Sequence, residues 1–267
     1  MSTIEHPEST PRRLVIQARG IFKKQVILLV RYPLNLISGL LTIYIFFALM
    51  FFGGTAIAGE PLGDHLEGLI IGFFLWTMAL SAFSDLTWNI TREAQWGTLE
   101  QLYMTTSRFE VLMLLKSVVN VVVSFFMGFI ILAMMLLTTR EMLVIDVFTI
   151  IPVTLFGLLS VIGLGFIFGG LAVIYKRIEN MFQILTFGLI GLVAAPVGMY
   201  PFLQFLPLSQ SSHLLQLAMS DGVRLWEIAP ADILVLVGVA GGYLAIGIAF
   251  FTLAQRRARR LGVMGHY

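Results

Sequence analysis

PVGMYPFLQFLPLSQSSHLLQL, residues 196–217, closes a stretch of 41 residues, Asn180 to Ser220, that holds no charged side chain. Roughly 20 apolar residues cross a bilayer once. The stretch is therefore long enough for two crossings, and its reading sets the number of spans. Pro196, Pro201 and Pro207 decide against a second crossing. Each proline removes a backbone donor and breaks a helix, and lipid offers a freed carbonyl no water. The sequence predicts a span that ends near Gly198. Broken apolar helix follows, dipping back into the outer leaflet without crossing. An ordinary outer loop packed on the spans is the alternative.

The same argument extends outward to the whole chain. Of its 267 residues, 58% are hydrophobic and only 12% are charged. The mean hydropathy is +0.92. A soluble domain carries about 25% charge, so this chain reads as an integral membrane protein. Charge-free gaps place six helical spans near 34–53, 67–88, 111–137, 147–174, 178–199 and 232–254. A formal charge of +2 gives no support to a nucleic-acid partner. The chain has no cysteine, which excludes disulfides and thiolate chemistry. The start, MSTIEHPESTPRR, lacks the apolar core of a signal peptide and reads as a retained cytosolic tail.

Basic residues orient the spans. With the N-terminus in the cytosol, 15 of the 17 Lys and Arg residues fall inside, and only Arg140 and Arg224 fall outside. The expected organisation is a tail over 1–11, one transmembrane domain over 12–254, and a basic cytosolic tail over 255–267. Both termini are then cytosolic, in the cell membrane.

RRLVIQARGIFKKQVILLVRYP, residues 12–33, precedes the first span. Stepping by 100° per residue gathers its six basic side chains into an arc of about 140°. Leu14, Ile21, Phe22, Leu28 and Leu29 fall on the other side, while Ile16, Gln25 and Ile27 break the pattern. The segment reads as an amphipathic interfacial helix ended by Pro33.

REAQWGTLEQLYMTTSR, residues 92–108, is a polar helix between two spans. Trp96, Leu99 and Tyr103 share one helical face, and Glu93 and Glu100 form an adjacent acidic stripe. Gln101 turns outward with the carboxylates. Gly97 costs such a helix roughly 1 kcal/mol relative to Ala, which points to a bend or a close approach. A solvated loop helix and a docking helix fit these residues equally.

The segment resembles the cytosolic coupling helix of permease subunits in the type-2 class of ABC (ATP-binding cassette) exporters. That class shows an acidic residue, then G-T-L-E-x-L, then Thr-Pro and a basic residue before the third span. Here the matching positions are Glu93, Gly97, Thr98, Leu99, Glu100, Leu102, Thr105 and Arg108. Thr106 stands where proline is usual. The resemblance extends, more weakly, to the chain length, the interfacial helix, six spans, the proline-broken piece and the basic tail. It implies an all-α integral membrane fold with this coupling helix inserted into a groove of an ATPase subunit. It also implies two copies of that ATPase, which hold ATP and Mg, and a second permease, either another copy of this chain or a paralogue. This chain carries no G-x-x-x-x-G-K-[ST] frame, so it is expected to bind no cofactor and to be no enzyme itself.

Other residues carry candidate roles. Asp85 is the one carboxylate well inside a span-like run and could sit at an inner gate or be solvated near the cytosolic end. Gln183 and Thr186, spaced i, i+3, could bond a substrate or a neighbouring helix. Tyr200 and Phe202 are expected at the outer end of a path. Gly165 and Gly169 form a G-x-x-x-G frame, for packing within the chain or at a dimer seam. His213 is isolated, with no metal-ligand cluster near it.

Charge-poor spans favour export of an amphiphilic, lipid-like or drug-like cargo, with membrane lipids as neighbours. A lipid-linked glycan or polysaccharide exporter is the near alternative. An ion-coupled secondary transporter would show midplane charges and internal repeats, and neither is evident. An intramembrane enzyme would need clustered catalytic groups, and Asp85 and His213 lie toward opposite faces.

Overall fold

A computed structural model describes residues 10–58, 65–95, 109–175 and 178–260. Helix dominates, and no strand occurs among the described residues. In chain order, α1 is Thr10–Arg31, α2 Pro33–Ala58, α3 His65–Gln95, α4 Phe109–Thr139 and α5 Val147–Tyr175. α6 is Glu179–Val193, α7 Ser209–Met219 and α8 Pro230–Arg260. A single 3-10 turn, Pro201–Phe205, lies between α6 and α7.

Five of these helices, α2, α3, α4, α5 and α8, are long and apolar enough to cross a membrane. The chain is an all-helical, multi-pass membrane protein. The expectation of six full spans is corrected. The proposed span over 178–199 is helical only to Val193, giving 15 residues. At 1.5 Å per residue that is roughly 22 Å, short of a hydrocarbon core of about 30 Å. Pro196 restricts its predecessor as well as itself, so the helix stops before Ala194 and Ala195, and the predicted end near Gly198 is too late.

Local chemistry sets other boundaries. Tyr32 alone separates α1 from α2, and Pro33 opens α2 where its missing N–H has no intrahelical acceptor anyway. Asp146 caps α5. Its carboxylate accepts the Phe148 N–H at 3.2 Å and the Thr149 hydroxyl at 2.7 Å. Thr149 Oγ1 in turn accepts the Leu225 N–H at 2.8 Å, tying the link before α8 to the start of α5.

α3 and α5 form the centre: 61% of each one's span is buried, against 6% for α2 and 17% for α8. Gly165 and Gly169 of α5 meet Leu86 and Ile90 of α3. Those two helices therefore run in the same direction, and the G-x-x-x-G frame serves packing within the chain. α4 runs antiparallel to α3, joined by Asn120 Nδ2 donating to Ser81 O at 3.3 Å and by the Ser124–Ser81 hydroxyl pair at 3.0 Å. Phe46, Phe47, Phe73 and Trp76 fill the seam between α2 and α3, with ring centroids 5.4–5.9 Å apart. One end of the bundle, the basic face, carries Lys24, Arg31, Lys116, Arg256, Arg257 and Arg260.

Among the glycines of the described residues, the tightest approach joins α5 to α8. A Cβ at Gly163 would overlap the main chain of Tyr243, and a Cβ at Gly247 would overlap the main chain of Gly163. Main chain cannot rotate aside as a side chain can. Gly163→Val and Gly247→Val are each expected to destabilise the protein by about 1–3 kcal/mol or more through overpacking. Gly241→Ala on the same helix meets nothing within 4 Å and should be neutral or gain up to about 1 kcal/mol. Thermal unfolding in detergent, read by tryptophan emission, checks the contrast; equal melting of Gly163→Val and Gly241→Ala would contradict it.

Candidate functional site

Three features gather the polar side chains that the apolar spans retain. The first is a cleft of about 830 Å³ at the basic face, between α1, α3 and α4. Ile21, Lys24, Gln25, Leu28 and Leu29 of α1 and Tyr32 just after it line the cleft, a set spaced i, i+3/4, i+7/8, i+11. Ile21, Leu28 and Leu29 belong to the apolar arc of α1, Lys24 stands at its edge, and Gln25, which interrupts that arc in sequence, faces the cleft. α3 adds Ala82, Asp85 and Leu86, and α4 adds Met113, Lys116, Ser117 and Asn120. Ser117 and Asn120 are buried at the floor, while Lys24 and Asp85 are exposed at the mouth. Asp85 lies three residues from the end of its apolar span at Trp88, and Lys116 lies five from the start of its own at Val111. At 1.5 Å per residue, both charges sit within roughly 5–8 Å of the basic-face boundary.

A smaller cavity, about 270 Å³, lies between α3 and α6 and is lined by Phe83, Ser84, Trp88, Asn180, Phe182, Gln183 and Thr186. Gln183 is exposed there. The Thr186 hydroxyl donates to Phe182 O of its own helix at 2.9 Å, and Trp76 Nε1 reaches Thr186 O at 3.5 Å. The Thr186 hydroxyl is thus bonded within its own helix, and α3 reaches only its main-chain carbonyl.

The third feature is the junction of α6 and α7. The last four carbonyls of a helix have no partner within it. Ser209 Oγ donates to Leu192 O at 2.8 Å, and Ser212 Oγ donates to Val193 O at 2.6 Å. Ser211 Oγ donates to Val153 O of α5 at 2.9 Å, resting on Gly157, where a Cβ would collide with it. Gln210 Nε2 reaches Asp232 Oδ1 of α8 at 3.4 Å. All four residues of this first turn are at most 2% exposed. Leu208, just before them, takes a left-handed φ of 68°, and its N–H donates to Ser160 Oγ at 3.2 Å. At its other end α7 meets the start of α5, where Val144 N–H donates to Met219 O at 2.9 Å. α7 therefore runs back along α5 from Ser160 to the segment just before that helix, at Val144.

The structure brings Gln183 and Thr186 together and places Asp85 in the other cavity, although Ser84 and Asp85 are neighbours on α3. Tyr200, just before the 3-10 turn, and Phe202, within it, stand apart from both, exposed and with ring centroids 6.1 Å apart. Trp96, Gly97, Thr98, Leu99, Glu100, Gln101, Leu102, Thr105 and Arg108 lie outside the described residues, as does the side chain of Glu93. Sequence reading missed Lys24, Lys116, Ser117 and Asn120 as one group. Its available signals were Gln25 within the apolar arc and the i, i+3/4 spacing of Lys116, Ser117 and Asn120. It also missed the role of SQSS at 209–212, four small or polar residues within an apolar run.

Among the described residues, no group of three or more His, Asp or Glu side chains could hold a metal ion. No family model, no curated protein and no solved structure matches the chain.

The serine contacts yield a direct test. Removing either hydroxyl strands a buried carbonyl, which costs about 1–3 kcal/mol. Ser209→Ala with Ser212→Ala should therefore lower stability by about 2–6 kcal/mol in denaturant titration, if the two add. Ser38→Ala, at an exposed position, should stay within about 0.5 kcal/mol of the parent. A double variant as stable as the parent would show that these bonds contribute nothing net.

Proposed function

We propose that the chain is the membrane-spanning permease subunit of an ATP-driven ABC exporter that moves an amphiphilic, lipid-like or drug-like cargo outward. It works with two copies of a separate ATPase subunit, which bind ATP and Mg, and with a second permease, identical or paralogous. The observation that carries this reading is the block Gly97-Thr98-Leu99-Glu100-Gln101-Leu102, between Glu93 and Arg108, in the link from α3 to α4.

Several features support it. α3 ends and α4 begins at the basic face, and the positive-inside rule assigns that face to the cytosol. A coupling helix over residues 92–106 would then reach an ATPase. A push on it would pass into α3, which packs on α4, α5, α6 and α7. α1 lies at the same face, in keeping with an interfacial helix. The proline-broken piece from Pro196 through α7, with Tyr200 and Phe202 exposed, suits a re-entrant cap in the outer leaflet. Asp85 and Gln183, each exposed at a cavity, are the groups proposed to meet cargo as it enters the path. The apolar surface of α2, of which 6% is buried, is available to lipid or to a second permease.

Two experiments test the proposal. If Glu100 meets a basic groove on the ATPase, Glu100→Arg turns attraction into repulsion. Breaking such a contact costs about 2–5 kcal/mol, so ATPase co-purification should fall at least about tenfold. Gly97→Val should abolish ATP-driven transport in vesicles while both variants keep parental membrane levels. Unchanged binding and transport in both would remove the coupling role. For topology, single cysteines can be read in the cysteine-free background. An impermeant thiol reagent on intact cells should label position 199, where Met199 is 79% exposed, and spare positions 2 and 266. Labelling at 2 or 266 would overturn the orientation.

A further inference from the structure

We propose that the cleft between α1, α3 and α4 binds the headgroup of an amine-bearing glycerophospholipid, drawn from the leaflet at the basic face. The proposal concerns binding alone and stands independently of the transport reading. It rests on the chemistry of the lining. Two ammonium groups, Lys24 and Lys116, and one carboxylate, Asp85, border one cavity. A phosphate diester suits the two lysines through charge-assisted hydrogen bonds. A primary ammonium suits Asp85, because it offers N–H donors that a trimethylated amine lacks. The ligand that presents both charges a few atoms apart is an ethanolamine-type headgroup.

Depth and walls agree with that ligand. Asp85 and Lys116 lie within about two helical turns of the end of the apolar spans, the depth at which headgroups meet hydrocarbon. Lys24 projects from the edge of the apolar arc of α1, so its stem can lie along that surface while its charge stays at the mouth. Leu28, Leu29 and Leu36 form apolar wall on the α1–α2 side, fit for glycerol and the first acyl carbons. A free phosphate would have no use for that wall. A volume of about 830 Å³ falls within the range of small-ligand sites, roughly 300–1,000 Å³.

The test uses the full chain, purified in mild detergent and equilibrated with equal amounts of ethanolamine and choline phospholipids of matched acyl chains. Bound lipid is counted by mass spectrometry. The parent should retain the ethanolamine lipid over the choline lipid by about fivefold or more, somewhat under one charge-assisted contact. Lys116→Ala should lower total bound phospholipid about tenfold, and Lys116→Arg should restore most of it. Asp85→Asn should keep the phospholipid and lose the headgroup preference. If Lys116→Ala fails gel filtration, Lys24→Ala, at the exposed mouth, provides the same readout. Soluble O-phosphoethanolamine at millimolar concentration should leave the lipid in place. Displacement of the lipid by it would mark a site for soluble phosphoesters instead. Equal retention of both lipids by the parent, or parental binding in both lysine variants, would also overturn the proposal.

Discussion

A helix that ends inside apolar surroundings leaves carbonyls that lipid cannot satisfy. α6 is such a helix, and much of the fold answers its two terminal carbonyls, Leu192 O and Val193 O. Their donors are Ser209 and Ser212, at the first turn of α7. The same turn is bonded to α5 through Ser211 and to α8 through Gln210. One helical turn thus fixes three helices to one another. The left-handed backbone at Leu208 belongs to this arrangement. Non-glycine residues reach that region at a cost of about 1–3 kcal/mol, and here the Ser160 hydroxyl and a fully packed side chain hold it. The donors sit on small side chains because space beside α5 is short; Gly157 leaves room for Ser211 and little else.

Sequence reading located the apolar parts of the five long helices to within a few residues but ended α3 and α8 early, because absence of charge over 20 or more residues is a one-dimensional signal and both helices run on past it. It placed the sixth span wrongly for a local reason. The break was assigned to Gly198, whereas the constraint of Pro196 acts upstream, on residues that read as good helix formers. It recognised the frame of Gly165 and Gly169 and allowed for packing within the chain. It did not find the tighter contact of Gly163 with Gly247. Those two glycines lie 84 positions apart, and nothing in either neighbourhood distinguishes them from Gly241 or Gly242. The basic-face cleft stayed hidden for the same reason. Lys24, Asp85 and Lys116 belong to three helices, and only the fold makes them one group. The segment that supports the functional proposal was, by contrast, a contiguous block, readable without any fold.

The distribution of burial separates the bundle into parts with different mechanical character. α3 and α5 are held on several sides, and α5 is joined to α8 by main chain against main chain. α1 and α2 are joined by one residue, Tyr32, and rest on the bundle through their sides. On the proposed reading, force from an ATPase enters through α3, the helix coupled to most of the others. The cleft lies where that well-packed helix faces the lightly held α1.

The α6–α7 junction also orders events in time. Leu192 and Ser209 are 17 residues apart, and Val193 and Ser212 are 19 apart. At synthesis rates of about 5–20 residues per second, the donors emerge roughly one to four seconds after the acceptors they serve. α5, which supplies Ser160, Gly157 and Val153, is made before α6. Asp232, the partner of Gln210, comes last with α8. During that interval the end of α6 must stay near water or near the insertion machinery, because hydrocarbon offers it nothing. The short length of α6 then becomes a property of biogenesis: the helix enters early and waits, and the serines that arrive later seat it at its final depth.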